Sequence, residues 1–391
     1  GCIPNPVDAL FETVSGFTTT GASILPEVES LPKGILFWRS FTHWIGGMGV
    51  LVFLLSLLPL TGGSHVNLMK AESPGPQVDK LVPKVQSTAK ILYGIYLALT
   101  LLELVFLLAG GMPLFEALLT SFGTAGTGGF GNWNNSIAHY NSAYLQNVIS
   151  VFMILFGINF NAYFLLLTRK FKQLFKIEEI RVYLGVIAVF TTLIAFNVRG
   201  CFGSLRESFH HSLFQVASII TTTGFSTVDF NQWPAFSKLL LVLLMFIGAC
   251  AGSTGGGMKC SRILLLFKGV KKEMMSLIHP RLVRVHKMDG QRVQHEVMRS
   301  VNAFLVAYLI VIATSVLIVS LHCEDMVTSF TSVVTCINNV GPGLNQVGPA
   351  ANFGALHPLS KIVLTFDMLA GRLELFPMLL LFAPETWRRN R

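Results

Sequence analysis

The chain is 391 residues long, 52% hydrophobic and only 13% charged, about half the charged share of an ordinary soluble protein. A soluble core cannot absorb that much apolar surface, and several apolar runs reach the roughly 20 residues that cross a bilayer as a helix. Soluble enzymes, nucleic-acid readers and disordered scaffolds are excluded, and the formal net charge of +9 becomes a question of membrane topology rather than of nucleic acid.

The first residues from Gly1 read as the middle of a motif rather than as a signal peptide, so an N-terminal part is expected to be missing. Val7 to Gly16, short and amphipathic, leads into Thr18-Thr19-Thr20-Gly21-Ala22-Ser23, and the apolar run Gly34 to Leu60 follows. Next come the span Ala89 to Leu108, the short segment Leu114 to Phe122, the string Thr127-Gly128-Gly129-Phe130-Gly131 and the span Ala143 to Leu167. The same order returns as Val182 to Val198, Phe209 to Ile220, Thr221-Thr222-Thr223-Gly224-Phe225-Ser226-Thr227 and a span from Phe236 onward. It returns again as Val301 to Leu321, Asp325 to Thr335, Asn338-Asn339-Val340-Gly341-Pro342-Gly343 and Leu359 to Phe382. The aligned glycines Gly21, Gly129, Gly224 and Gly341 are 108, 95 and 117 residues apart.

This is an internal repeat. Its units are residues 1–61, without an opening span, 88–167, 182–275 and 300–383, followed by a basic tail at 384–391. The segment before each string is too short to cross the membrane and reads as re-entrant. Non-helical backbone is tolerated at that depth only where protein buries it or where it lines a watery path. The expected fold is therefore an all-α polytopic membrane protein, a pseudo-fourfold ring of units with re-entrant helices around one central ion path.

Strings ringed about an axis can aim backbone carbonyls at an ion in place of its water shell. Glycine reaches positive φ without steric cost and so turns successive carbonyls the same way. The candidate ion-binding residues are Thr19, Thr20, Gly21, Thr127, Gly128, Gly129, Thr222, Thr223, Gly224, Asn339, Val340 and Gly341. No carboxylate lies within the strings, which favours a monovalent cation over a divalent one, carried as cargo with no cofactor. The outward segments hold nine acids, Asp8, Glu12, Glu27, Glu29, Glu116, Glu207, Asp229, Glu324 and Asp325; they concentrate cations at a mouth or serve helix N-termini.

Of 29 basic residues, 22 fall in the segments 62–90, 168–181, 259–299 and 388–391, which the positive-inside rule makes cytoplasmic. The segment 259–299 holds ten of them and suits either an acidic partner or anionic membrane lipids. The six cysteines show no metal spacing and read as apolar packing. The third unit's closing span is interrupted from Gly248 to Lys259, a stretch too rich in glycine to stay helical. It reads as a plug whose gate residues are Gly252, Ser253, Thr254, Gly255, Gly256 and Gly257, or as a close-packing seam. Arg372, inside an apolar run, is costly enough to be functional; it faces the pore, pairs with Glu374 or Asp367, or snorkels. Two look-alikes fail: Met258 breaks the ending of a phosphate loop, and Ser253 with His210 and His211 has no positioned base for hydrolysis.

The strings TVSGFTTTGAS, SFGTAGTGGFGNW, ASIITTTGFST and CINNVGPGL, with FWRSFTHWIGGMGV and DMLAGRLELFP, resemble the TrkH/TrkG/KtrB superfamily of potassium-uptake membrane proteins over essentially the whole chain, the TrkH family most of all. The resemblance implies four span–pore-helix–span units behind further N-terminal helices, a filter centred on Gly21, Gly129, Gly224 and Gly341, and an intramembrane gating loop at the glycine-rich interruption facing Arg372. It also implies a homodimer with one pore per subunit, a TrkA-like cytoplasmic ring that binds nucleotides, and a bacterial inner membrane. A sodium-permeable or ion-coupled symporter of the same superfamily is the alternative; Gly21, rather than serine, favours potassium.

Overall fold

The computed structural model describes residues 3–49, 85–279 and 287–382. The far half of the Gly34 to Leu60 run, Lys70, Lys80, Lys84 and the 384–391 tail lie outside the described residues. The first unit contains α1 (Pro6–Phe17) and α2 (Lys33–Gly47). The second contains α3 (Val85–Ala109), α4 (Leu114–Gly126), α5 (Ala143–Phe156) and α6 (Phe160–Leu167), followed by the single turn α7 (Phe171–Leu174). The third contains α8 (Glu178–Asn197), α9 (Leu205–Ile220), α10 (Ala235–Ile247) and α11 (Cys260–Ile278). A two-stranded hairpin, β1 (Lys287–Met288) and β2 (Gln291–Arg292), leads to the fourth: α12 (His295–Ser320), α13 (Met326–Ile337), α14 (Pro358–Arg372) and α15 (Leu375–Leu380).

Among the described residues, α3 from Ala89, α8 and α12 are long and apolar enough to cross a membrane. No more than 33% of each apolar window is buried inside the protein, so side chains such as Leu101, Val105, Ile310 and Leu317 point outward, as lipid contact requires. The short helices α1, α4, α9 and α13 are the opposite case. All their hydroxyl residues but Thr13, among them Ser15, Thr124, Ser218 and Thr335, are buried, and Thr124 and Thr331 return their hydroxyls to the carbonyl four residues back at 2.9 and 2.8 Å.

The ring is closed by one contact type used four times. The first unit's α2 packs on α4, the second unit's α5 on α9, the third unit's α10 on α13, and the fourth unit's α14 on α1. Each unit thus lays its closing helix against the next unit's short helix.

Two expected continuous spans are broken. The run Ala143 to Leu167 bends by 90° between α5 and α6: Asn159 caps α6 by accepting from Asn161 N at 2.9 Å, while Gly157 O and Phe160 N bond to Cys250 N and Gly252 O at 3.0 and 2.9 Å. The bend persists because the third unit's interruption takes up its freed backbone groups. The run Leu359 to Phe382 breaks at Glu374, which sits at φ +67 while its carboxylate bonds to Arg262 on α11.

Candidate functional site

All four short helices end in the same backbone figure. Thr19, Thr127, Thr222 and Asn339 take φ of 56, 54, 59 and 55. The next residue's N–H then reaches back five residues, Thr20 to Ser15 O, Gly128 to Gly123 O, Thr223 to Ser218 O and Val340 to Thr335 O, at 2.8–3.0 Å. This is the left-handed helix ending that glycine usually supplies; threonine there carries a steric penalty, and the structure bears it three times. One residue further on, Gly21, Gly129, Gly224 and Gly341 are again at positive φ. The backbone alternates hands across each string, which turns successive carbonyls to one side, and each helix directs the negative end of its dipole at its string.

The strings meet. A Cβ on Gly21 would collide with Gly128 O, one on Gly129 with Thr223 O, one on Gly224 with Val340 O, and one on Gly341 would lie 2.7 Å from Thr20 O. Each central glycine therefore sits against the carbonyl that precedes the next unit's central glycine, and the fourth returns to the first. Asn339 fastens that last junction, donating to Thr20 Oγ1 at 3.0 Å and to Met368 O at 2.9 Å. Above them a cavity of about 110 Å³ is lined by all four central glycines together with Ser23, Phe130, Ser226 and Pro342.

On the other side the interruption between α10 and α11 fits beneath the third and fourth strings. Gly256 N donates to Thr222 Oγ1 at 2.6 Å and Gly257 N to Asn338 O at 3.0 Å. A Cβ on Gly255 would lie 2.9 Å from Thr221 O, and one on Gly256 would collide with Asn338 O; side chains at these positions would push the segment off the strings. Arg372 completes the arrangement. Its guanidinium donates to Thr19 Oγ1 at 3.2 Å, Thr254 O at 2.9 Å, Gly47 O at 2.6 Å and Gly46 O. One cation thus ties the first string and the end of α2 to the glycine-rich segment.

Of the alternatives for Arg372, Glu374 bonds to Arg262 and Asp367 accepts from Ser315 at 2.8 Å, while the arginine bonds into the segment. Ser253 donates to Cys250 O at 2.6 Å. His210 and His211 bond to Gln146 and Thr227, so the serine–histidine contact needed for hydrolysis is absent among the described residues. The outward acids are largely consumed by structure: Asp8 pairs with Lys361, Glu12 with Arg39, and Asp325 caps α13.

Three residues escape sequence reasoning. Lys259, counted with the cytoplasmic bases, is 1% exposed and donates its Nζ to Gly255 O. His43, buried on α2, donates Nδ1 to Gly16 O at 2.8 Å and packs against Gly128, propping the first two strings. Glu179 accepts from Ala251 N and Ser261 N. The signal available for Lys259 was its place inside the glycine-rich stretch, and for His43 its place in FWRSFTHWIGGMGV; Glu179 had none.

The sequence pattern of the TrkH family, described as a cation transport protein, matches residues 4–389. The chain is 40% identical over 386 residues to the Trk system potassium uptake protein TrkH of Salmonella typhimurium, covering 97% of this chain and 79% of that protein. It is 38% identical over 388 residues to the Trk system potassium uptake protein TrkG of Escherichia coli, covering 98% and 79%. The crystal structure of the potassium transporter TrkH from Vibrio parahaemolyticus superposes with a TM-score of 0.85 at 35% identity, over 98% of this chain and 79% of that one.

Proposed function

The chain belongs to the TrkH family of cation transport proteins, and from that premise we propose that it takes up potassium across a bacterial inner membrane through its ring of four strings. The observation that carries this reading is the closed ring of glycine-to-carbonyl contacts. A dehydrated monovalent ion needs oxygen on several sides at once; carbonyls from four units around one axis can supply it, with the four helix dipoles adding favourable potential. Thr19, Thr20, Gly21, Thr127, Gly128, Gly129, Thr222, Thr223, Gly224, Asn339, Val340 and Gly341 are the proposed ion-coordinating or supporting residues.

The segment from Gly252 to Gly257 is the proposed gate, and Arg372 its fastening. A plug under the strings blocks the path inward, and a guanidinium beside it opposes cations in the same space. The exposed bases of 259–299, among them Lys271, Lys287, Arg292 and Arg299, support docking of a TrkA-like nucleotide-binding ring that moves this gate. A homodimer with one pore per subunit completes the assembly.

The decisive experiment is tracer uptake into proteoliposomes under an imposed voltage, comparing K+, Rb+ and Na+. Potassium and rubidium should enter and sodium should lag well behind. Sodium entry at the potassium rate would point to the sodium-permeable alternative, and lumen acidification in step with potassium entry to proton-coupled symport.

A further inference from the structure

Two carboxylates at the start of α8 connect the cytoplasmic hairpin to the glycine-rich break. Glu179, 3% exposed, accepts from Ala251 N at 2.7 Å and from Ser261 N at 2.9 Å, both on Oε1. Those two donors stand on either side of the Gly252–Gly257 segment, so one oxygen holds its ends together. Ser261 lies in the first turn of α11, whose own N-cap residue, Lys259, offers no side-chain bond. Glu179 therefore caps α11 from another helix.

The preceding residue is held from the other direction. Glu178 N donates to Asp289 Oδ1 at 2.7 Å, and Ile177, at the α8 N-cap, offers no side-chain bond, so α8 too is capped from outside. Asp289 is the turn residue of the hairpin, at φ +54 beside Gly290 at φ +81. Lys268 pairs with the Glu178 carboxylate and donates to Lys287 O at 2.7 Å. Two trans caps in series thus run from hairpin to α8 and from α8 to the break. Between hairpin and break lies a cavity of about 240 Å³, lined by Asn159, Glu179, Ala251, Ser261, Asp289 and Arg292, which leaves the hairpin room to shift.

We propose that Glu179 is the latch that keeps the break in its occluding shape, and that the 287–292 hairpin is the handle that acts on it through Asp289 and Glu178. This rests on the break being the gate. Glu179 is a positioning residue: it holds the segment and does not meet the ion. A displacement of the hairpin tugs the first turn of α8, loosens two bonds at one oxygen and frees both ends of the plug together.

The test is Rb+ tracer flux per folded protein in proteoliposomes without any cytoplasmic partner, for Glu179→Ala, Glu179→Gln, Asp289→Ala, a chain lacking residues 253–256, and combinations. Glu179→Ala should raise flux about tenfold, equivalent to about 1.4 kcal/mol. Glu179→Gln, which keeps one acceptor oxygen and replaces the other by an amide, should raise it about threefold and decides the matter if the alanine variant does not fold. Asp289→Ala should also raise flux about threefold but add nothing to Glu179→Ala, since both cut one chain of contacts. In the shortened chain the Glu179 substitutions should have no further effect. If the shortened chain is faster than wild type while both Glu179 variants match wild type, the latch is wrong and the gate stands. If Glu179 variants gain as much in the shortened chain as in the full one, Glu179 acts elsewhere and the latch is again wrong. A shortened chain no faster than wild type removes the gate and the latch with it.

Discussion

At the strings the four units end their short helices alike: a left-handed Thr or Asn, a backbone bond reaching back five residues, and a glycine against the neighbouring unit's carbonyl. On the opposite side of the strings they differ. The second unit bends at Gly157–Asn159, the third opens into the segment between α10 and α11, and the fourth breaks at Glu374. Under the proposed function, the difference follows from what each half would do. Surrounding a spherical ion favours equal contributions from every side, whereas stopping it takes a single obstacle, and a lone obstacle leaves the remaining units free to brace it. The bend in the second unit does so through Cys250 and Gly252, and the fourth through Arg372.

The largest expected effect breaks the symmetric half. Gly224→Ser should lower the K+ over Na+ preference by tenfold or more in proteoliposome flux, because its Cβ would collide with Val340 O and lie 2.9 Å from Pro342 Cδ, turning a carbonyl away from the axis. Gly111→Ala sharpens the comparison: Gly111 is also at positive φ, 83, but faces open space, so selectivity should not change. An unaltered preference in Gly224→Ser would mean that the ring does not select.

Shortening the segment 253–256 attacks the asymmetric half and should raise partner-free flux roughly tenfold with ion preference unchanged. A folded protein no faster than wild type would make the segment packing alone.

Arg372→Ala should raise conduction about fivefold and leave Rb+ and Na+ ratios as they are. A fixed charge about 5 Å from a cation at an effective dielectric of about 20 repels it by roughly 3 kcal/mol; water screening to a third of that gives about fivefold. Lysine should retain part of the barrier and glutamine little. Unchanged flux with a lower melting temperature would reduce Arg372 to a structural tie.

The smallest effect lies at the outer rim. Hydrogen bonds from Thr328 and then from Asn345 hold the Asp325 carboxyl down to about 2. The sign follows: its folded pKa lies below the ordinary value near 4, so its stabilisation is complete above that value and is lost as pH falls toward about 2. Asp325→Ala should cost about 1 kcal/mol near neutrality, the usual value of an N-cap, and the cost should shrink in melts taken through that acid window. Equal losses at pH 6 and pH 2.5 would show that the carboxylate charge does not serve the cap.

Much of this architecture was open to sequence reasoning because it is local. The four-unit order, the strings, the glycine-rich interruption and the odd charge at Arg372 are each visible within a dozen residues. Element ends were less so. The bend at Gly157–Asn159 looks continuous in an apolar run, since what keeps it bent is backbone bonding to Cys250 and Gly252. The hairpin carried a readable signal in Asp289-Gly290, a favoured two-residue turn.

What the sequence determined by itself is the class of solvent, the fourfold repeat and which residues are out of place in an apolar chain, because hydropathy and glycine content act on each segment separately. Only the tertiary structure decided that the fourth string returns to the first through Asn339 and Thr20, that Arg372 bonds to Thr254 rather than to Glu374, and that Lys259 and Glu179 lie buried at the break. These are meetings of groups up to 353 residues apart, as for Arg372 and Thr19. No periodicity records them, because they depend on how buried polar groups find partners once water is gone.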